Sequence, residues 1–342
     1  MDLSAVIVAK NEEKQIKYCI ESVLKAFEKY DSKQVILVDS ISNDKTIEIA
    51  MDYPIEIYQL KDVFDVTPSA GRYIGYLKAK NNFILFIDGN RVLESKNFDK
   101  LFSIIKNNDD IGGISGKISS EYCNDSDDNL ITKFIFQRIK HFYDSIEVGN
   151  VKVLAGPVSI FRKEALDFSG PHNPFLRADE EAELCYRVVS KGYSLLRTPY
   201  IIAYQEICFR SFFHFLYKYE WIYNKWVGIS LRYTLKKNPK IFFERLQDLK
   251  EYIILNLLVT YAIFSLVLFF YYERFFLILT LFLYIIWGFY EIRINKRKFK
   301  STFLHIVNFH VRIISFIALI YGFIAFSIED VENYPKNAKK IK

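Results

Sequence analysis

A chain of 342 residues that is 51% hydrophobic and 17% aromatic, yet 25% charged, fits neither a plain bundle of membrane helices nor an ordinary soluble domain. Acidic residues concentrate before about residue 190 and the long uncharged runs follow about residue 250, so a water-facing domain followed by a membrane region accounts for both figures. The net charge of +6 is modest, and Cys19, Cys123, Cys185 and Cys208 lack CxxC spacing, which argues against a zinc site or a disulfide framework.

The first 90 residues alternate between two periods. SAVIVA is too short for a secretory leader and reads as a strand buried on both faces. Ile16, Cys19, Ile20, Val23, Leu24 and Phe27 form one helical stripe. QVILVDS is a second strand, and Asp44 is placed to cap a short helix in SNDKTIEIAMDY. IEIYQL, SAGRYIGYLKAK and NNFILFIDGN then read as strand, helix and strand. This alternation predicts an α/β fold with a parallel, doubly wound sheet and ligands at the carboxyl ends of its strands. Polar turns follow three of those strands, at 10–13, 39–44 and 88–90, where that rule places ligands; helix caps and solvated loops are the alternative reading.

Farther on, GGISGKI and VKVLAGPVSIFRKEAL read as strands, the latter entering a helix, and RADEEAELCYRVVSKGY as a helix ended by Gly192. Residues 208–228 mix aromatics with cations, as a helix in a membrane interface does, although a packing helix has the same stripe. Residues 252–272 carry no formal charge for 21 positions and 275–290 none for 16, enough for two spans; 306–328 is a third, interrupted by His310 and Arg312. The run 291–300 holds Arg293, Lys296, Arg297, Lys298 and Lys300, a cytosolic flank rather than a nucleic-acid patch. The expected organisation is a cytosolic domain at 1–207, amphipathic interfacial helices at 208–250, a membrane region at 251–330 and a polar tail at 331–342. That places the protein in the cell membrane as a multi-pass chain.

VIVAKNEE, VILVDSISNDKT, PSAGRYIGYLKAKNNFILFIDGN and FLRADEEAELCYRVVSKGY, in this order, resemble family-2 glycosyltransferases over roughly residues 3–207. The resemblance implies a Rossmann-like, A-type nucleotide-sugar fold and inverting transfer from a nucleotide-sugar donor to a glycan or lipid-linked acceptor beside a lipid bilayer. It carries nucleotide contacts onto Val8, Ala9, Lys10, Glu12, Asp39, Arg72 and Asp88, although Arg72 is also explained by a helix ion pair. It implies a divalent metal, manganese or magnesium, near Asp88. The second carboxylate of the family's Asp-x-Asp turn is Asn90 in this chain, and Gln205 stands where relatives place a histidine, so weak binding follows. It makes Glu181 the general base, with Glu180 beside it and both kept ionised at a helix N-terminus; acids there also simply complement the helix dipole. Glu183 and Arg187 are spaced for an i,i+4 bridge. His141, His172 and His214 share no metal spacing and read as packing or surface residues. A polyprenyl-phosphate sugar synthase and a non-catalytic nucleotide-binding relative with a degenerate metal site are the alternatives.

Overall fold

The computed structural model describes residues 2–61, 66–122, 147–154, 156–207, 217, 221–250, 302–326, 328–336 and 338–342. The chain divides into two compact units, one of Met1–Phe215 with Ile328–Lys342 and one of Leu216–Ser327.

The first unit opens as expected. β1 (Asp2–Ala9), α1 (Ile16–Phe27), β2 (Ser32–Asp39), α2 (Thr46–Ala50), β3 (Glu56–Gln59), α3 (Pro68–Lys78) and β4 (Phe83–Asp88) follow in order. β1 pairs in parallel with β2 and β4, and β2 with β3. Because side chains alternate across a strand, β1 sends Leu3, Ala5 and Ile7 into one core layer and Val6 and Val8 into the other. β4 does the same, with Phe83, Leu85 and Ile87 against Ile84 and Phe86. A sheet apolar on both faces needs a helix on each side, which is why these strands read as continuous hydrophobic runs.

The second half departs from a purely parallel sheet. β5 (Arg91–Leu93), α4 (Ser95–Asn107), β6 (Ile111–Tyr122), β7 (Gly149–Asn150), β8 (Val158–Arg162), α5 (Lys163–Ser169), α6 (Glu180–Ser190) and β9 (Ser194–Ile207) complete most of the layer. β8 runs antiparallel to both β4 and β6, and β5 antiparallel to β9, so the sheet is mixed. β8 runs directly into α5, with no residue between Arg162 and Lys163.

The segment read as a polar tail belongs to this unit. β10 (Lys339–Lys340) pairs antiparallel with β3 and ends the strand order β10-β3-β2-β1-β4-β8-β6-β9-β5. Tyr334 is buried, with its ring edge-on to Tyr73 and Phe175, and the Lys342 ammonium donates to the carbonyls of Met51 and Tyr53. The tail's edge strand thus gives the exposed backbone of β3 a partner.

In the second unit, α7 (Tyr223–Lys237), α8 (Pro239–Asp248) and α9 (Thr302–Ala325) are described. Gly228 of α7 lies against the Leu319 carbonyl and Gly322 of α9 against the Lys225 carbonyl, so neither position has room for a Cβ. Val227, Leu231, Phe242 and Leu319 pack together there. Arg245 is buried and donates to the hydroxyls of Ser230 and Thr234. The spans expected at 252–272 and 275–290, the basic run at 291–300 and most of the interfacial stretch 208–220 lie outside the described residues. Among the described residues no helix is long and apolar enough to cross a membrane, and α9, which covers most of the third expected span, turns Phe316, Ala318 and Leu319 inward.

Candidate active site

Three strand ends build the site. The turn after β1 and the turn after β2 are latched together: Asn11 N–H donates to Ser42 Oγ, Glu12 N–H to Thr46 Oγ1 and Glu13 N–H to Asp44 Oδ2. Asp44 also accepts from the backbone and hydroxyl of Thr46 at the start of α2, so it serves the helix end as its spacing suggested, although Lys45 is the residue at the cap. The latch fixes the backbone around Val8, Ala9, Lys10 and Glu12 beside Asp39.

Asp39 is wholly buried at the end of β2. Its carboxylate accepts from Ser42 N–H at 2.9 Å and from the Gln59 side-chain amide at 3.1 Å. Ala9 is its register partner across β1, and Val8 is that of Asp88. Asp39 and Asp88 therefore flank β1 two strand spacings apart, about 10 Å.

Arg72 gathers the acids. It lies on α3, which sits close to β1 because a Cβ at Gly71 or Gly75 would run into Val8 or Val6. From there its guanidinium reaches Asp88 Oδ1 at 2.8 Å, Glu180 Oε1 at 2.7 Å and Glu181 Oε1 at 3.3 Å. The Arg72 side chain is only 3% exposed. Burial works against its charge, but Asp88, Glu181 and Glu180 outweigh that and lift its pKa further above the guanidinium range. Arg72 is thus an ion-pair hub, buried and not on a helix surface, and the hub stands at the strand ends.

The two glutamates separate by burial. Both enter α6 after Asp179, whose φ of 66° turns the chain so that the helix N-terminus faces Arg72. Glu181 remains 25% exposed, with its carboxylate over Gly156, where a Cβ would collide with it. Glu180 is buried at 4% exposure and its Oε2 has no hydrogen-bond partner. Burial, then the neighbouring Glu181, push the Glu180 carboxyl well above its usual range, with Arg72 opposing. Glu180 is therefore drawn toward its protonated form, contrary to the expectation that the helix N-terminus keeps both acids ionised; desolvation outweighs the dipole.

The expected metal ligands are only partly joined. Asp88 is separated from Asn90 by Gly89 alone, but the Asn90 side-chain amide oxygen, Oδ1, accepts from Arg91 at 2.7 Å. Gln205, paired in register with Arg91, is buried and gives its amide nitrogen to Ser120 Oγ. Among the described residues no group of three or more His, Cys, Asp or Glu stands ready for a metal ion. The donor chemistry nonetheless fits a weakly held hard cation: all donors are oxygens, and the cluster sets three carboxyls against one guanidinium.

Residues behind the site are structural. Arg187 grips both oxygens of Glu183 at 2.7 and 2.8 Å, the spaced pair seen in the sequence, and donates to the carbonyls of Ser169, Gly170 and Pro171. Arg187→Ala leaves a buried carboxylate and three carbonyls of a turn without their donor; a loss of about 3 kcal/mol in urea unfolding is expected. His172 is buried with its ring edge-on to Phe86 at 4.8 Å, a packing residue as read; His141 and His214 lie outside the described residues. Burial and then Arg72 hold its pKa well below the usual value. A histidine depressed in the folded state costs stability as pH falls below its unfolded pKa of about 6.5, by up to about 1.4 kcal/mol per pH unit. His172→Phe should remove that slope, so urea midpoints at pH 7.5 and 5.5 should differ less in the variant than in the parent. Cys19 and Cys185 are free and buried, and burial raises both thiols, Cys185 to about 12, so neither is a nucleophile at neutral pH.

Residues 4–169 match the family model described as glycosyl transferase family 2. Among solved structures, a mannosyltransferase from Pyrobaculum calidifontis in complex with GDP-Man and Mn2+ is similar at 10% identity and a TM-score of 0.62, over 94% of this chain and 86% of that one. S. aureus TarS 1-349 in complex with UDP-GlcNAc is 16% identical with a TM-score of 0.49, over 68% of this chain and 66% of that one, so this chain spans just under two thirds of its length. GalNAc-T7 with UDP, GalNAc and Mn2+ is 18% identical with a TM-score of 0.47, over 61% and 44%. No match is found among curated protein sequences. The mannosyltransferase shares the mixed α/β, A-type fold. Over residues 4–169, just under half of its length, the chain is similar to the glycosyl transferase family 2 domain.

Proposed function

We propose that this protein transfers a hexose or related sugar, with inversion, from a UDP- or GDP-type donor to a hydroxyl of a glycan or lipid-linked acceptor at a membrane surface. The observation that carries the reading is the meeting of Asp88, Glu180 and Glu181 on Arg72, about 10 Å from Asp39 at the ends of adjoining strands. Such a row of strand ends suits an elongated, charged nucleotide.

In this reading Glu181, the more accessible of the two glutamates, takes the acceptor proton. The acceptor oxygen then bonds to the anomeric carbon as the bond to the diphosphate breaks, and the nucleoside diphosphate leaves with the electron pair. Arg72 aims Glu181 and Asp88, and Glu180, drawn toward its neutral form, limits the repulsion within the cluster. Asp88 with Asn90 would hold a divalent cation, which when bound offsets charge on the departing diphosphate.

Membrane placement draws on two features. The uncharged run 252–272 is long enough to span a bilayer. In the second unit, Ile317, Ile320, Tyr321 and Ile324 form an exposed stripe at helical spacing on α9, the last at 69% exposure. The basic run 291–300 supports a cytosolic side for the catalytic unit.

The test is a screen of UDP- and GDP-sugars against the purified chain in lipid, with and without manganese, reading release of nucleoside diphosphate. One donor turned over, faster with metal, is expected. Nucleotide binding without release from any donor would favour a non-catalytic relative.

A further inference from the structure

An open cleft of about 430 Å³ lies at the outer end of the same row of strand ends. Ile41, Gln59, Leu60 and Lys61 form one wall, and Ala338 and Lys339, from the far end of the chain, line it as well. Ile41 follows β2 with φ at +60°, a conformation that strains a β-branched residue and is held only where the surroundings impose it. The nitrogen of the Gln59 amide is given to Asp39, which fixes that side chain on the cleft wall.

The tail is held in place on both sides of the cleft. Upstream, Tyr334 is wedged against Tyr73, the neighbour of Arg72, and against Phe175. Downstream, β10 pairs Lys339 with Gln59 and Lys340 with Tyr58, and Lys342 is bonded to two carbonyls. Residues 338 and 339 are thus built into the wall.

From β3 to β4 is three strand spacings, about 14 Å, which is of the order of an extended nucleoside diphosphate. We infer that this cleft takes the nucleoside end of the donor, and that Ala338 and Lys339 of the carboxyl-terminal segment help determine which nucleotide binds and how tightly. Ile41, Leu60 and Ala338 offer aliphatic surface to the flat face of a base, Gln59 an amide to its polar edge, and Lys61 and Lys339 positive charge toward the phosphates. The inference rests on the glycosyltransferase reading of the site and adds to it Ala338 and Lys339, which lie outside the family-matched segment.

Ala338→Trp tests it, since the side chain is enlarged while the backbone pairing of β10 is left in place. Calorimetric titration of UDP and GDP into the full-length protein in lipid should show the nucleotide preferred by the parent weakened at least tenfold in the variant. Lys340→Trp, two residues along and outside the cleft lining, should bind as the parent does. If the indole lowers the melting temperature, Ala338→Leu gives the same comparison with a smaller intrusion. Parent-like affinity in a folded Ala338 variant would overturn the inference and leave the donor site standing. A parent that binds neither nucleotide would overturn the donor reading itself, and this inference with it.

Discussion

Arg72→Met should unfold with about 3–5 kcal/mol less free energy than the parent at neutral pH and should show no measurable transfer. The substitution keeps much of the side-chain volume but leaves Asp88, Glu180 and Glu181 facing one another without the guanidinium they share. The Glu180 carboxyl, raised by burial and by Glu181, then loses the guanidinium that opposed the rise and is pushed further up. A carboxyl raised in the folded state contributes stability below its unfolded pKa and loses it as pH climbs through the folded one. The deficit of the variant should therefore be largest at pH 8 and shrink toward pH 5, as read from urea midpoints. Adding Glu180→Gln should recover part of it at pH 8. Arg72→Lys should not restore activity, because one ammonium does not present the separate nitrogens that the guanidinium gives to Asp88 and Glu180. A deficit independent of pH would mean that the lost packing, and not the charge, is what matters.

Glu181→Gln should lower kcat by about 10²–10⁴ with little change in nucleotide affinity. The amide is isosteric, so the contact over Gly156 is kept while the proton acceptor is lost. Steady-state kinetics beside calorimetric titration of the nucleotide separates the two effects. Glu180→Gln should leave most of the rate intact, since that carboxyl is buried and already drawn toward its neutral form. Equal losses in both variants would sink the division of roles. Full activity in Glu181→Gln would point to an acceptor that is already an anion, such as a polyprenyl phosphate, which needs no base.

The first half of the fold was legible because each strand is buried on both faces and each helix on one. β1 and β4 read as unbroken apolar runs and α1 as a single stripe, so the two periods are unmistakable. α4 carried a signal that went unread: Phe98, Leu101, Phe102 and Ile105 stand at helical spacing and all are buried. The antiparallel direction of β8 had no local signature, since direction is set by connection length and sheet position. Asp88 stood out at a strand end, whereas Glu180 and Glu181 were singled out by the family resemblance and not by their place at a helix start; the structure brings all three to Arg72. Arg72 was found but not its role, because three ion pairs made from one buried side chain depend on how closely α3 approaches β1. The grip of Ser120 on Gln205 joins residues 85 apart in sequence and has no pattern to give it away. A lysine-rich ending is the opposite of what strand propensity favours, which hid β10.

That last strand has a bearing on biosynthesis. The Lys342 ammonium closes on a carbonyl 291 positions earlier in the chain, so the β3 rim stays open until residues 339–342 have been made. At roughly 5–20 residues per second, that interval is on the order of 15–60 s, long enough for an uncovered rim to meet another nascent chain.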